Sequence, residues 1–430
     1  LGLYLIHYST RLTAPFTIPA ATLYIGVLVL GFKRRILSVL RIILGFSAQL
    51  LCVVLSAAAG WAAWQAALLI NPAYKLMPEG QTYNSAFYQI CFVAIAVSVS
   101  SAVYGWASKI GIENLTIGSL LLWLALLALI TLFLPGGTYL FLWPLVFSLS
   151  GLALRITKKG WVSSWKLLVS SCLFAVPAMI LLVPMVYWVF VGLPLQTGGA
   201  VSAFVVLLLG SLLPLLQFII ERSVKPLALS SLAVAVSLFL YASLTAKFDQ
   251  NHPRPSTLFY TLNSDTGAAA WATTDNPPDE WTSKFFSQRG TNAVPLKEFF
   301  PFSRGSFLAS PATAIRMPHS NVELVDSAPS NGGRSLSFHV SPARPVALAS
   351  IYISSKAGIA AAYINGSRIS LAGSSIGDGQ EQKWKLRFYA IPTAGLDLKL
   401  EMKGSDALLM TVVDQSYGLE EVLGSSAVER

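Results

Sequence analysis

Residues that could do chemistry are few in this chain and widely spaced. The histidines are His7, His252, His319 and His339. A zinc site needs His, Cys, Asp or Glu clustered at helical or hairpin spacing. The nearest grouping is His319 with Glu323 and Asp326, and we interpret it as a polar patch between a loop and a strand. We therefore assign no metal ligand.

A second candidate is the acidic turn at Asp275, Asp279 and Glu280, between Trp271 and Trp281. Carboxylates beside aromatic rings could bind a sugar, but an ordinary acidic turn in a β domain explains them equally well. The sequence has no nucleophile elbow, P-loop or dinucleotide fingerprint. We assign no catalytic and no cofactor-binding residue, and we expect no cofactor in this chain.

Two sequons, Asn114-Leu115-Thr116 and Asn365-Gly366-Ser367, match the pattern for N-glycosylation. The predicted topology places the first in the cytoplasm, and the second would require a eukaryotic secretory pathway. Neither supports a functional assignment.

Most of the elements that the sequence predicts before residue 247 are membrane helices. Hydrophobic residues make up 54% of the chain and charged residues only 12%, and a bilayer-spanning helix needs about 20 mostly apolar residues. The apolar runs predict eight spans: 15–32, 42–64, 86–107, 117–134, 138–155, 166–191, 200–220 and 226–246. They lack the alternation of a membrane β-barrel, so we predict a helical bundle.

Charge orients the bundle. Residues 247–430 carry 17 basic and 17 acidic side chains, so the net charge of +10 lies entirely in 1–246. Alternate loops hold 11 basic residues: Lys33, Arg34, Arg35, Arg41, Lys109, Arg155, Lys158, Lys159, Lys166, Arg222 and Lys225. The opposite loops hold Arg11 and Lys75. The positive-inside rule then places both termini on the non-cytoplasmic side, and we expect no nucleic-acid partner.

The centres of the predicted spans contain no Asp, Glu, Lys, Arg or His. Carriers, proton pumps and intramembrane proteases place such groups at depth, so this pattern disfavours a transporter. Gln49, Gln65 and Gln89 are explained by hydrogen bonds between helices. Pro144, Pro177, Pro184 and Pro214 should kink their helices.

After a proline-rich linker at 247–256, short alternating runs predict an all-β domain over 257–430. The predicted strands are 257–263, 268–274, 312–317, 321–326, 334–341, 347–354, 359–364, 367–371, 383–390, 396–402 and 408–414. They suggest an exported sandwich or jelly-roll-like fold. Asn365-Gly366 fits a type I′ hairpin turn. We expect the aromatic residues of 276–310 to fold back over the sandwich or the bilayer surface.

Three segments carry a resemblance to a known family: LGLYLIHYS (1–9), TYLFLWPLVFSL (138–149) and HPRPSTLFYTLNSDTGAAAWATTDNPPDEWT (252–282). They resemble membrane-anchored M28-family zinc metallopeptidases, which include the endoplasmic-reticulum and vacuolar membrane proteases and longer bacterial relatives. In that family an exported aminopeptidase domain precedes a multi-span bundle and an exported β domain. The resemblance implies that zinc belongs to an upstream domain, and no zinc ligand can be assigned to a position of this chain.

The leading hypothesis is therefore a non-catalytic part of an M28-like metallo-aminopeptidase that anchors the enzyme in the membrane and assists it. Residues 1–14 would be an interfacial lead-in from the upstream peptidase domain, 15–246 the bundle and 257–430 the exported domain. The expected partners are the lipid bilayer, the peptidase domain and peptide substrates. The alternative is a non-enzymatic membrane protein whose β domain binds a glycan or a protein. A cysteine-free exported domain favours a bacterial inner membrane with a periplasmic domain over the endoplasmic reticulum or vacuole.

Overall fold

A computed structural model describes residues 12–77, 82–158, 165–286, 293–303, 305–330, 333–371, 375–376 and 381–424, with backbone alone for 76, 219–223 and 375–376. The chain forms two compact units, Leu1–Pro255 and Ser256–Arg430. The predicted lead-in at 1–14, with His7 and Arg11, lies almost entirely outside the described residues.

The first unit consists of apolar helices. They are α1 (Thr13–Lys33), α2 (Val39–Ile70), α3 (Ser85–Ala107), α4 (Ile112–Phe133), α5 (Tyr139–Thr157), α6 (Trp165–Gly192), α7 (Gly198–Ser211) and α8 (Leu213–Leu244). In the described part of the chain, seven helical segments are long and apolar enough to cross a membrane, by length and composition. These helices indicate a membrane protein, as the apolar runs predicted.

The seventh predicted span, 200–220, is not one long helix. The apolar helix in this region covers Leu195–Ser211 and is shorter than the other seven. Pro214 lies in the first turn of α8, where its missing N–H is tolerated, and it cannot continue the preceding helix. The predicted loop at 221–225, between spans seven and eight, is also wrong, because α8 continues through it.

Close approach between helices depends on glycine. A Cβ added to Gly118 of α4 would lie 2.5 Å from the backbone nitrogen of Phe46, and one added to Gly45 of α2 would lie 2.6 Å from the carbonyl oxygen of Asn114. Lipid tails are as apolar as the helix side chains, so the hydrophobic effect does not drive helices together in a bilayer. Helices there associate through close packing, which small residues allow. α2 and α4 therefore pack backbone against backbone.

The second unit consists of antiparallel strands and a short helix, α9 (Glu420–Leu423). The strands are β1 (Leu258–Leu262), β2 (Ala269–Thr273), β3 (Leu308–Pro311), β4 (Asn321–Ser330), β5 (Gly333–Ser341), β6 (Leu348–Ser355), β7 (Ile359–Ile364), β8 (Ser367–Ile369), β9 (Ser375–Ile376), β10 (Gln382–Tyr389), β11 (Leu396–Met402) and β12 (Leu408–Gln415). They form sheets ordered β1-β2-β3, β12-β6-β10-β9 and β4-β5-β11-β7-β8. Every predicted strand except 312–317 overlaps one of these.

The four- and five-stranded sheets share one hydrophobic cluster. Ile351 and Ile353 of β6 lie in it with Leu398 and Leu400 of β11, and all four side chains are fully buried. β11 alternates strictly between buried and more exposed residues, as its sequence predicted. The residues of β11 that face the cluster are therefore its leucines and Met402.

The predicted Asn365-Gly366 hairpin turn is confirmed. Ile364 pairs with Ser367 across it, and both turn residues have positive φ, 47° and 79°, as a type I′ turn requires. The wrong strand at 312–317 is irregular backbone held by Tyr260, whose hydroxyl donates to the Thr313 carbonyl at 3.0 Å.

Aromatic residues of the 276–310 segment do fold back onto the sheets of their own unit. Phe302 packs edge-on against Tyr352 of β6, with 5.2 Å between ring centroids. Phe300 lies 6.2 Å from Phe259 of β1 and 5.9 Å from Phe307. We expected these aromatic residues to cover either the sandwich or the bilayer surface, and in the structure Phe300 and Phe302 pack on the sheets.

The glycine contact between α2 and α4 can be tested by adding one methyl group. Gly118→Ala should lower the thermal unfolding midpoint in detergent, corresponding to about 1–3 kcal/mol of overpacking. Gly26→Ala in α1 is the matched control, because nothing lies within 4 Å of its added Cβ and alanine is favoured over glycine in a helix by about 1 kcal/mol. Equal midpoints for the two variants would contradict the close packing.

Candidate functional site

The sequence-selected histidines do not come together. His252 lies in the segment after α8. His319 lies before β4, and its Nδ1 is 3.1 Å from the carbonyl oxygen of Ser320. His339 lies on β5, half-exposed, with Nδ1 2.7 Å from Asp397 Oδ1. Within the described ranges, no group of three or more His, Cys, Asp or Glu side chains could hold a metal ion.

The three residues of the predicted polar patch have separate neighbours. Glu323 pairs in register with His339, which itself pairs with Asp397 of β11. Asp326 lies opposite Ser337, after a bulge in β4. Glu323, His339 and Asp397 thus form a row across three strands, and His319 is not part of it.

The acidic turn has a structural role. Asp275 accepts hydrogen bonds at 2.9 Å from both the backbone nitrogen and the hydroxyl of Thr257, which ties the start of β1 to the end of β2. Asp279 accepts from the backbone nitrogen of Thr282 at 2.6 Å, at the start of a short 3-10 helix, Thr282–Phe285. These contacts support the acidic-turn interpretation of the two aspartates.

The first sequon cannot accept a glycan in this fold. Asn114 is 2% exposed. Its side-chain oxygen accepts from the Ser38 nitrogen at 3.0 Å, and its amide nitrogen lies 3.3 Å from the Ile36 carbonyl. Asn114 therefore joins the start of α4 to the turn between α1 and α2. Asn365 is exposed, but its side-chain oxygen accepts from the Asp397 nitrogen at 2.9 Å.

Sequence reasoning missed a buried ion pair in the bundle. Arg155 was counted as a loop cation, but it lies in the last turn of α5 with its side chain 4% exposed. Its Nε is 2.8 Å from Oε1 of Glu113 at the start of α4. The only signal in the sequence was that both residues lie at predicted span ends on the same side of the membrane.

Polar groups also join the helices at the end where the chain leaves α8, which we call the exit end. Asn71 donates to the Ser243 carbonyl at 3.0 Å, and the Tyr88 hydroxyl lies 2.9 Å from the Ser243 hydroxyl. Tyr74 is buried and stacks on Trp64 with 6.2 Å between ring centroids. Burial raises the pKa of the Tyr74 hydroxyl, and Tyr88 raises it further, so Tyr74 is neutral at physiological pH.

A cavity of about 170 Å³ opens beside this cluster. Its lining residues are Asn71, Ala73, Tyr74, Met77, Tyr83, Asn84, Thr245, Ala246, Lys247, Phe248, Asp249 and His252. The lining combines amides and hydroxyls with one lysine and one aspartate. It could accommodate a small polar group or water, and no nucleophile–base pair is formed there.

The segment after α8 lies across Tyr83. The Tyr83 hydroxyl donates to the Pro253 carbonyl at 2.6 Å, and its ring lies 4.8 Å from that of His252. Asp249 Oδ1 accepts from the backbone nitrogens of Asn251 and His252, both at 2.9 Å. Tyr83, which lies between α2 and α3, therefore provides contacts that hold the exit segment.

The local charge at Asp249 follows from these bonds. Desolvation acts to raise the pKa of the carboxyl, but the hydrogen bonds from His252 and Asn251 outweigh it, so the pKa is lowered from its ordinary value of 3.8. Asp249 is thus ionised at neutral pH, and its hold on the exit segment depends on that charge.

Comparison with known proteins adds no template for these arrangements. No protein-family model, no curated protein and no solved structure matches this chain. The chemistry of the chain must therefore be argued from its own contacts.

Removing one partner of the buried ion pair should be costly. Glu113→Ala leaves the Arg155 guanidinium buried without its carboxylate, and we expect a loss of about 3 kcal/mol, the lower end for such pairs, because Glu113 is partly exposed. The loss would be measured as a lower thermal midpoint in detergent. Glu113→Gln combined with Arg155→Met should recover most of it.

Lys109→Ala is the control for the ion pair, since Lys109 is an exposed cation at the same end of the bundle. If the single Glu113 variant and the Lys109 variant have equal midpoints, the ion pair contributes nothing to stability.

The exit segment should loosen in acid. Because the pKa of Asp249 is lowered on folding, the stabilisation from its ionised form is present above about pH 3.8 and is lost as the pH falls through the folded pKa. Hydrogen exchange, corrected for intrinsic rates, should show a protected Asn251 amide at pH 6 and an unprotected one below that pKa.

Asp249→Ala should leave the Asn251 amide unprotected at every pH, while Asp265→Asn in the second unit should leave its protection unchanged. Protection that is independent of pH in the unmodified chain would contradict the role given to Asp249.

Proposed function

We propose that this chain is the membrane-anchoring and accessory portion of an M28-like metallo-aminopeptidase and is not catalytic by itself. The observation that carries the proposal is the segment 252–282, which has the longest resemblance to that family. It contains the end of the exit segment, both strands of the β1–β2 hairpin and the acidic turn that ties them together. The segment that resembles the family is thus a structural junction.

The contacts inside the bundle support an anchoring role. Gln49 is fully buried; its amide donates to the Val206 carbonyl at 3.3 Å and its oxygen accepts from Tyr104. Ser98 of α3 donates to the Ala228 carbonyl of α8 at 2.8 Å. Side-chain polar groups of this kind, used to join helices, favour a rigid bundle.

The proposal includes eight crossings of the bilayer. Two contacts show that α7 runs in the same direction as α3. Ser202, early in α7, lies with its hydroxyl 3.3 Å from the carbonyl of Phe92, early in α3. Val206, later in α7, and Tyr104, later in α3, both bond to the side chain of Gln49. α8 runs the opposite way, since Ala228 meets Ser98 and Ser243 meets Tyr88. The short α7 would then be the seventh crossing and α8 the eighth.

The proposal also includes a β-sandwich built from the four- and five-stranded sheets. Its support is the shared cluster, in which Trp384 of β10 and Ile353 of β6 are buried together with Leu398 of β11. Residues from opposite sheets meet in one core when two sheets stack face to face.

Sidedness follows from charge. The sequence predicts 11 basic residues on one side of the membrane and two on the other, so the exit end and the β unit would face the non-cytoplasmic side. The bundle would tether an exported zinc peptidase domain, and the β unit would assist it with peptide substrates. A bacterial inner membrane is favoured over an endoplasmic reticulum or vacuolar membrane.

The test is to sequence and express the full open reading frame that encodes this chain. The proposal expects an upstream α/β domain with clustered His, Asp and Glu, bound zinc, and cleavage of an aminoacyl reporter that is abolished by a chelator. A matched protein with one of those histidines changed to alanine should keep the bundle intact but lose zinc and cleavage. A full-length protein that binds no zinc and cleaves no reporter contradicts the proposal and favours a non-enzymatic membrane protein.

A further inference from the structure

The strand β4 is an edge strand that is solvent-exposed over nearly its whole length. It pairs with β5 on one side, and no described strand pairs with its other side. Nine of its ten residues are exposed and one is half-buried. A long, open edge of this kind is a template for pairing with another polypeptide.

The face of β4 that continues the hydrophobic core is apolar and uncovered. Val322 lies opposite Val340, and Leu324 lies opposite Phe338. Val340 is fully buried, yet Val322 is 38% exposed and Leu324 is 53% exposed. Residues opposite one another in antiparallel strands point to the same face, so the apolar face of this sheet extends beyond the part that is buried.

The other face of β4 is acidic. Glu323 lies opposite His339 and Asp326 lies opposite Ser337, so both carboxylates point away from the core. Asp397 adds a third carboxylate, 2.7 Å from the His339 ring. Lys399 lies two strands away, its ammonium over the Tyr363 ring, and β4 itself has no basic residue.

We propose that β4 binds an extended polypeptide segment in which apolar and basic residues alternate, added as a further strand of the sheet. Backbone hydrogen bonds would supply affinity, and the alternating side chains would supply selectivity. The apolar residues would cover Val322 and Leu324, and the basic residues would lie beside Glu323 and Asp326. The inference goes beyond the proposed function and is tested without zinc or an upstream domain.

A second copy of the chain fits this edge less well. The antiparallel register that places Val322 of one copy opposite Leu324 of the other also places the two Glu323 side chains opposite each other. Like charges directly opposite in a sheet are destabilising. The acidic edge therefore selects a basic segment over its own sequence.

The test uses the full chain in a non-ionic detergent and a fluorescein-labelled peptide, Thr-Lys-Val-Lys-Val-Lys-Thr. Fluorescence anisotropy should show saturable binding that weakens as salt is added, because the charged contacts are exposed. A peptide with proline in place of its central lysine should not bind, since proline lacks the N–H and breaks strand pairing. A peptide with glutamate in place of every lysine should bind far more weakly.

Variants of the chain locate the site. Leu324→Lys should weaken binding of the basic peptide by about tenfold or more, the equivalent of losing one buried leucine. Glu323→Lys with Asp326→Lys should reverse the preference towards the acidic peptide. Leu409→Lys is the matched control, because Leu409 is a similarly exposed leucine, 66%, on the edge strand β12 of the other large sheet, and it should bind like the unmodified chain.

The outcomes separate the alternatives. Binding that is unchanged in Leu324→Lys, or equal for acidic and basic peptides, overturns the proposal, as does the absence of binding at millimolar peptide. Self-association of the chain that Leu324→Lys abolishes would show that a second copy occupies the edge, and would also overturn it.

Discussion

Hydrocarbon cannot satisfy polar groups, and the first unit is organised around that constraint. Backbone groups are satisfied within helices, and polar side chains must find partners on neighbouring helices. Gln49 meets Tyr104 and Val206, Asn114 meets the turn before α2, and Arg155 meets Glu113. Each of these contacts joins segments distant in sequence, so the same bonds that make burial tolerable also determine which helices are neighbours.

The second unit satisfies the same requirement in water by pairing strands, and it has no cysteine with which to cross-link them. Its stability depends on the core shared by the two larger sheets. That core ends before the sheet does, because Val322 and Leu324 continue its apolar face at the β4 edge and remain exposed. Exposed apolar surface at a free edge is uncommon unless it has a partner, and the acidic residues beside it restrict which partner fits.

The polar contacts of the described residues are structural and belong to no catalytic centre that we assign. The bundle is joined by hydrogen bonds between helices. The acidic turn binds the backbone of Thr282 and closes a hairpin, and the exit segment is held against Tyr83. The proposed peptidase origin comes from the resemblance of three segments, whereas the strand-binding edge comes from geometry alone. The two ideas can therefore fail independently.

The sequence by itself was sufficient for the membrane helices, for nearly all the strands and for the Asn365-Gly366 turn, because hydrophobic period and turn chemistry are local properties. It failed at 200–225, where the apolar composition continues but Pro214 shortens one helix and the next runs through the predicted loop. The partners of Arg155, Asn114 and Tyr74 were decided only by the tertiary structure. So was the exposure of β4, whose alternation looks like that of any half-buried strand. Burial depends on which distant segments cover a residue, and no local pattern in the chain encodes that.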